Sequence, residues 1–462
     1  MPLLRPNLWR GGRRRGSTAA AATTDHQQPP NALYVPGATC ARLQPSKTVA
    51  MSDLATSMRR EGIDVISLAP GEPDFDTPAP IAEAGLAAIR SGLTHYSPNA
   101  GIADLREAIA SKLARENGVV YDGGASSVVV TNGAKQAIAQ TILATCSPGD
   151  EVLVPSPYWV SYPEMAKLAG ATPVIVETDL DDGFLLSAET LSKHLTPRSR
   201  VLILCSPSNP TGSVYTKLQL EAIAAVVQAH PRLLVIADEI YEHIHYPPTT
   251  SRDGGGNGEE AGEEASSSPS PPASFASLPK LAARTVTVNG FSKAFAMTGW
   301  RVGYLAAPEA IARDAAKVQS QFTSGASTPA QHAAVAALRL GEGYEDRAGM
   351  RGGPEVGAMV AEFRARRDYA CSCLADLGGL ALPGGERPGG AFYLFPDASH
   401  WIARTGSDGS DGLCAAVLRE AGVALVPGSA FGKPDCVRMS YAASLEDLER
   451  AFDKIGAYLA RF

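Results

Sequence analysis

The sequence predicts a mostly parallel, doubly wound α/β domain on a seven-stranded sheet, followed by a smaller α+β domain. Three observations carry this: seven short, continuous apolar runs, helical spacing between them, and a change of pattern in the tail. The runs are 127–131 (SVVVT), 151–155 (EVLVP), 172–176 (TPVIV), 201–205 (VLILC), 233–237 (LLVIA), 285–288 (TVTV) and 303–306 (GYLA). They do not alternate with polar residues, so they read as strands buried on both faces, which a parallel sheet covered by helices requires. Between them, 134–146, 162–169 and 218–230 show helical spacing, and Pro148-Gly149 supplies a turn after the first. Strands alternating with helices imply crossover connections. In the tail, 363–377 reads as a long helix, 390–395 and 436–441 as strands, and 445–459 as a closing helix.

The flanking segments have a different composition. The first 32 residues set Arg5, Arg10, Arg13, Arg14 and Arg15 against one acid, Asp25, without an amphipathic repeat, as in an organelle transit peptide; composition alone also fits a disordered basic tail that binds nucleic acid or nothing. Without them the net charge of −7 becomes about −11, which argues against nucleic acid as a partner. Residues 249–272 carry no aliphatic side chain larger than alanine and predict a solvated insertion, and 341–357 reads as a second Gly-rich loop anchored by Tyr344. No apolar run approaches the ~20 residues of a membrane span, so no membrane partner is expected. The seven cysteines show no CxxC pair and no metal-ligand spacing with histidine, which predicts free thiols and no metal. The expected organisation is a leader at 1–32, an arm and small-domain segment at 33–66, a large domain at 67–335 and a small domain at 336–462.

In such sheets ligands bind beyond the carboxyl ends of the strands. Thr131-Asn132-Gly133-Ala134-Lys135 follows the first run and opens a helix, whose free N–H groups suit a phosphate; alone it also reads as turn chemistry. Asp238 ends a buried strand, where a carboxylate needs a cation or donors, and a protonated heterocyclic nitrogen suits it better than a metal; alone it also reads as a turn cap. Asn209, held ahead of Pro210, is placed to bond a ligand, or simply to make an Asn-Pro turn. Lys293 follows another buried run in apolar surroundings that favour the neutral, nucleophilic amine, and Arg301 adds a cation suited to phosphate or carboxylate. Read alone, those two also fit a snorkelling lysine and a core ion pair. Together with Tyr241, these parts describe one cofactor, pyridoxal 5′-phosphate. It needs an acid at its ring nitrogen, a lysine imine, a phosphate cup and a donor to its phenolate oxygen.

These motifs, with 70–76 (PGEPDFD), 95–98 (HYSP), 157–162 (PYWVSY) and 437–441 (VRMSY), closely resemble the class I pyridoxal-phosphate-dependent aminotransferases of fold type I. Within that family the chain is most similar to the bifunctional aspartate/prephenate branch of plant plastids, from about residue 33 to the end apart from the two insertions. The resemblance implies that Lys293 carries the cofactor and shuttles the proton between Cα and C4′, that Asp238 pairs with the ring nitrogen, that Tyr241 and Asn209 bond the ring oxygen, and that Trp159 stacks on the ring. It implies that Gly133, Ala134, Lys135, Arg301 and Tyr96 hold the phosphate, Tyr96 from a neighbouring subunit, hence a homodimer with shared sites. Arg438 and Asn209, with Gly71 and Trp159, would take the substrate α-carboxylate end, and Lys135 with Thr48 a second carboxylate. The implied reaction moves an amino group between glutamate or aspartate and an oxo acid: oxaloacetate, 2-oxoglutarate, or prephenate to give arogenate. The implied place is the plastid stroma, with the mitochondrion as alternative. Gln44 departs from the branch, whose plant members usually carry lysine ahead of Pro-Ser-Lys-Thr. Alanine, aromatic or kynurenine specificity, or lyase chemistry, would use the same cofactor-binding parts.

Overall fold

The computed structural model describes residues 34–247, 272–344 and 350–462. The expected leader and all but the last residue of the expected insertion lie outside these residues. The central sheet holds seven strands: β1 (Val128–Thr131), β2 (Glu151–Ser156), β3 (Thr172–Glu177), β4 (Ser199–Cys205), β5 (Leu234–Asp238), β6 (Thr285–Gly290) and β7 (Gly303–Ala306). Their spatial order is β1-β7-β6-β5-β4-β2-β3. Five run parallel from β6 to β3, while β7 runs antiparallel to both β1 and β6.

The continuous apolar runs follow from the two-sided cover. In β4, Val201 and Ile203 pack with Ile138, Val152 and Ile236 on one face, while Leu202 and Leu204 pack with Leu153, Ile223 and Val235 on the other. Each such buried side chain contributes roughly 1.5–3 kcal/mol. The 172–176 run is the exception to the expected two-faced burial. Thr172 is exposed and Pro173 to Ile175 are only half-buried: β3 is an edge strand with thinner cover than the opposite edge, β1, which is buried throughout. An edge is also where Pro173, which lacks an N–H, is tolerated.

The helices Ala134–Thr145, Tyr162–Leu168 and Lys217–Ala229 lie where the spacing placed them. The last opens with a capping box in which Thr216 and Gln219 satisfy each other's backbone N–H groups. In the tail, the long helix spans Pro354–Leu377, so the end of the expected 341–357 loop is helical. Pro354 suits a first helical position, and Val356, Met359 and Val360 extend the buried stripe upstream. The expected strand at 390–395 shrinks to Tyr393–Leu394, which pairs antiparallel with Val437–Ser440. Ile66–Ser67 pairs parallel with Val423–Ala424, and Ser440 N–H donates to the Leu68 carbonyl at 2.8 Å. These bonds hold the chain leading into Gly71 against the tail strand that carries Arg438. All seven cysteines are free thiols.

Helix Ala79–Arg90 presses Gly85 on the indole of Trp300, the neighbour of Arg301: a Cβ at Gly85 would lie 2.5 Å from a ring carbon. The ring is pinned, since its Nε1 donates to Thr77 Oγ1 at 3.0 Å. Gly85→Val is expected to cost about 1–3 kcal/mol through overpacking, well above the few tenths that valine gains over glycine in helix propensity. A lowered midpoint of urea unfolding is the check.

Candidate active site

A cleft of about 590 Å³ opens at the carboxyl ends of the parallel strands. Its first wall is the turn after β1. Gly133 takes φ +83° there, and a Cβ on it would lie 2.7 Å from Arg301 Nη2. The first N–H groups of helix Ala134–Thr145 have no helical acceptor, so with the guanidinium beside them they form a cup for a phosphate-sized anion. Arg301 itself holds a left-handed backbone, φ 56°, as does Ala296, φ 48°. Such residues cost about 1–3 kcal/mol each and need a surrounding structure that imposes them. The 70–77 segment does so: Thr77 Oγ1 donates to the Ala296 carbonyl at 2.7 Å, and Thr298 Oγ1 donates to Glu72 at 2.9 Å. Arg301 Nη1 then donates to the Thr298 carbonyl at 2.8 Å.

Asp238, buried at the end of β5, accepts from Tyr162 Oη at 2.6 Å and from the Ile240 N–H at 3.4 Å. Both donors are neutral, and burial pushes the carboxyl up to about 6 against their pull. Lys293, just past β6, donates through Nζ to the Gly71 carbonyl and lies 6.0 Å from the Tyr241 and Phe392 ring centroids. Burial lowers its amine to about 8, with Glu72 opposing and Arg438 and Arg301 reinforcing. Tyr241 Oη is 2.9 Å from Tyr393 Oη. Arg438 is buried, donates to Asn209 Oδ1 at 3.1 Å and the Ala69 carbonyl at 2.6 Å, and stacks over Tyr393 with 4.5 Å to the ring centroid. Its Nε is buried without a partner among the described residues. Lys135 Nζ lies 5.0 Å from the centroid of Trp159, and Thr48 joins the wall from helix Lys47–Arg60.

The fold thus gathers Thr48, Gly71, Ala134, Lys135, Trp159 and Asn209 around one cavity with Asp238, Tyr241, Lys293, Arg301 and Arg438. Gly133 sits behind the wall against Arg301. Tyr96 is not brought to it: its side chain is 99% exposed. Gln44 is also away from the lining, its N–H bonded to Glu164 at 2.8 Å. Sequence reasoning gave no role to Tyr162, Tyr393, Glu72, Thr298 or Arg59, which also line the cleft. Tyr162 and Glu72 lie inside motifs that were legible, so adjacency to the chemistry was their signal. Tyr393 carried only a strand pattern.

An anion cup, a buried acid, an amine that is partly neutral near pH 8 and a guanidinium with an open Nε meet in one cleft. The mostly parallel sheet with this cleft at its carboxyl edge is that of the fold-type-I transferases. The chain belongs to the class I and II aminotransferase family, whose profile matches residues 63–455. It is 53% identical over 418 residues to the bifunctional aspartate aminotransferase and glutamate/aspartate-prephenate aminotransferase of Petunia hybrida, covering 89% of this chain and 80% of that one. It is 52% identical to an aspartate aminotransferase of Pinus pinaster, covering 90% of this chain and 79% of that one. Among solved structures, the aspartate aminotransferase of Thermus thermophilus with maleate matches at TM-score 0.79 and 39% identity, over 92% of this chain and 100% of that one.

The lowered amine has a direct consequence. In cofactor-free protein, acylation of Lys293 followed by peptide mass spectrometry is expected to rise with a midpoint near pH 8, because only the neutral amine reacts. Surface lysines should rise about two pH units later, near their ordinary value; a Lys293 midpoint among theirs contradicts the site's electrostatics.

Proposed function

We propose that this aminotransferase uses pyridoxal 5′-phosphate to move an amino group between aspartate or glutamate and an oxo acid, with prephenate among the acceptors. The observation that carries the reading is the pair Asp238 and Lys293: two ionisable groups in one cleft, each shifted by burial toward its neutral form. A ligand that brings a cation to the first and bonds the second relieves both costs. The cradle at Gly133, the phosphate-sized cup and the orphaned Arg438 Nε fit the same cofactor and an amino-acid carboxylate.

In this reading the N–H groups of Ala134 and Lys135, with Arg301, hold the phosphate, Trp159 covers a ring face, and Tyr241 and Asn209 bond the ring oxygen. When bound, the cofactor supplies an electron sink for negative charge developing at the substrate Cα. Asp238 keeps the ring nitrogen protonated, and that cation in turn lowers the carboxyl from about 6 and keeps it ionised. Arg438 orients the substrate by binding its α-carboxylate as a fork, its plane held by Tyr393 and Phe431. Lys293 Nζ takes the proton from Cα, and an amine near 8 can both accept and return it around neutral pH. Lys135 and Thr48, on the cleft wall, receive a second carboxylate.

The aspartate and prephenate choices are supported by the Petunia and Pinus relatives. Tyr96 is exposed, and so are Leu86, Ile89 and Leu93 shortly before it in the chain, which supports a homodimer whose second copy completes the phosphate cup. The basic, acid-poor leader composition supports import into a plastid.

Adding aspartate to the purified, cofactor-loaded protein should bleach its yellow colour, and an oxo acid should restore it; an unchanged spectrum with both aspartate and glutamate sinks the reading. Lys293→Ala should lower turnover by at least roughly a hundred- to ten-thousandfold. Arg438→Ala should cost about 2–5 kcal/mol in kcat/KM, since it strips the partner from a desolvated carboxylate. Steady-state kinetics with aspartate checks both variants.

A further inference from the structure

The segment after β5 faces two ways. Asp238 and Tyr241 line the cleft, while Glu239 and Glu242 are buried and absent from its lining. The ladder between β5 and β6 ends with Asp238 opposite Val288, and the last main-chain bond runs from the Glu239 N–H to the Val288 carbonyl at 2.9 Å. Beyond it the chains part, one toward Tyr241 and the other toward Lys293. Asn289, 3% exposed, is the next residue of β6. Its Oδ1 accepts from the Gly290 N–H at 2.7 Å, so its amide NH₂ turns to Glu242 Oε1 at 2.5 Å.

Glu242 is held from its other side as well. Asn117 Nδ2 donates to Oε2 at 2.6 Å, and the Lys112 ammonium, 1% exposed, pairs with Oε1. Asn117 closes a wide π-helical turn, Leu113–Asn117, and accepts from Lys112 at 2.8 Å. Burial opposes ionisation of Glu242, yet Lys112, His243 and Arg351 outweigh it and hold the carboxyl well below its usual range. Asn289 therefore donates to a true carboxylate, a strong and directional bond. A buried ionic cluster is weak evidence for stability, and its better-attested use is to fix geometry.

We propose that Asn289 and Glu242 are positioning residues: their bond, buried outside the cleft lining, sets the exit of β5 against the exit of β6 and thereby the placement of Asp238 and Tyr241 relative to Lys293. The catalytic meaning of this contact rests on the cofactor reading above.

The test compares Asn289→Ala with Asn117→Ala in the full-length protein. Each deletes one donor to the same carboxylate and leaves the Lys112–Glu242 pair, but only the first cuts the link between the two strand exits. Asn289→Ala is expected to lower kcat for aspartate roughly ten- to a hundredfold, with KM within about twofold. It should also weaken the affinity of cofactor-free protein for pyridoxal 5′-phosphate and speed amide exchange at residues 291–293, beyond Gly290, whose own N–H loses its Asn289 acceptor in this variant. Asn117→Ala should leave all of these near wild type at a similar loss in melting temperature. Equal effects from the two variants, or an Asn289→Ala protein with wild-type kcat, affinity and exchange, overturn the proposal. Should Asn289→Ala not fold, Asn289→Ser, which keeps a small polar group beside Gly290, is judged by the same outcomes. A wild-type protein that takes up no pyridoxal 5′-phosphate defeats the cofactor reading instead, and the exchange comparison still decides the contact.

Discussion

Two neighbouring parallel strands deliver an acid and an amine into one cleft, where their hydrogen-bond partners among the described residues are neutral groups. Asp238 has a tyrosine hydroxyl and a backbone N–H, and Lys293 has a backbone carbonyl. Neither arrangement compensates a full charge, so both groups shift toward neutrality. The arrangement is costly as a resting structure and becomes favourable when a ligand supplies the missing cation and engages the amine. Much of the surrounding architecture can be understood as what holds this uncompensated pair in place.

The holding is done by elements distant in sequence. The 70–77 segment gives a carbonyl to Lys293 and imposes the left-handed turns that aim Arg301 at the anion cup. The same segment reaches the long tail helix, where Arg366 donates to Asp74 at 2.6 Å and Phe75 meets Phe363 edge-on at 5.2 Å. Tail strand Val437–Ser440 carries Arg438 to the Ala69 carbonyl. In the proposed function, substrate-carboxylate binding and cofactor binding would therefore share one mechanical frame, a short irregular stretch braced from both sides. Outside the cleft lining, the cluster around Glu242 braces the strand exits as well.

Much of this was legible in the residues. Six of the seven strands, the edge strand β1 included, announced themselves because two-sided burial leaves little room for polar positions in them, and the acid, lysine and anion cup followed from their places at strand ends. Edge strand β3 misled for a physical reason: its Val-Ile-Val is apolar enough for a central strand, and only the neighbour count makes it an edge. The tail helix began earlier than its spacing suggested because glycines around 352–357 obscured a stripe of Val356, Met359 and Val360. Tyr393 was invisible as a site residue, since a two-residue strand in a small sheet has no end-of-run signal, and its hydroxyl meets Tyr241 only through packing.

The sequence by itself determined the chemical inventory and its local framing: which residues can be acid, base and anion donor, and that each sits where a regular element stops. Burial patterns and turn chemistry are local properties, so a single chain displays them. The tertiary structure alone decided the electrostatics and the bracing. Whether Lys293 is held near 8, whether Asp238 finds a cation, and whether Asn289 reaches Glu242 depend on groups scores of residues away. Desolvation and directional hydrogen bonds are set by what packs against a group in space, which spacing along the chain does not record.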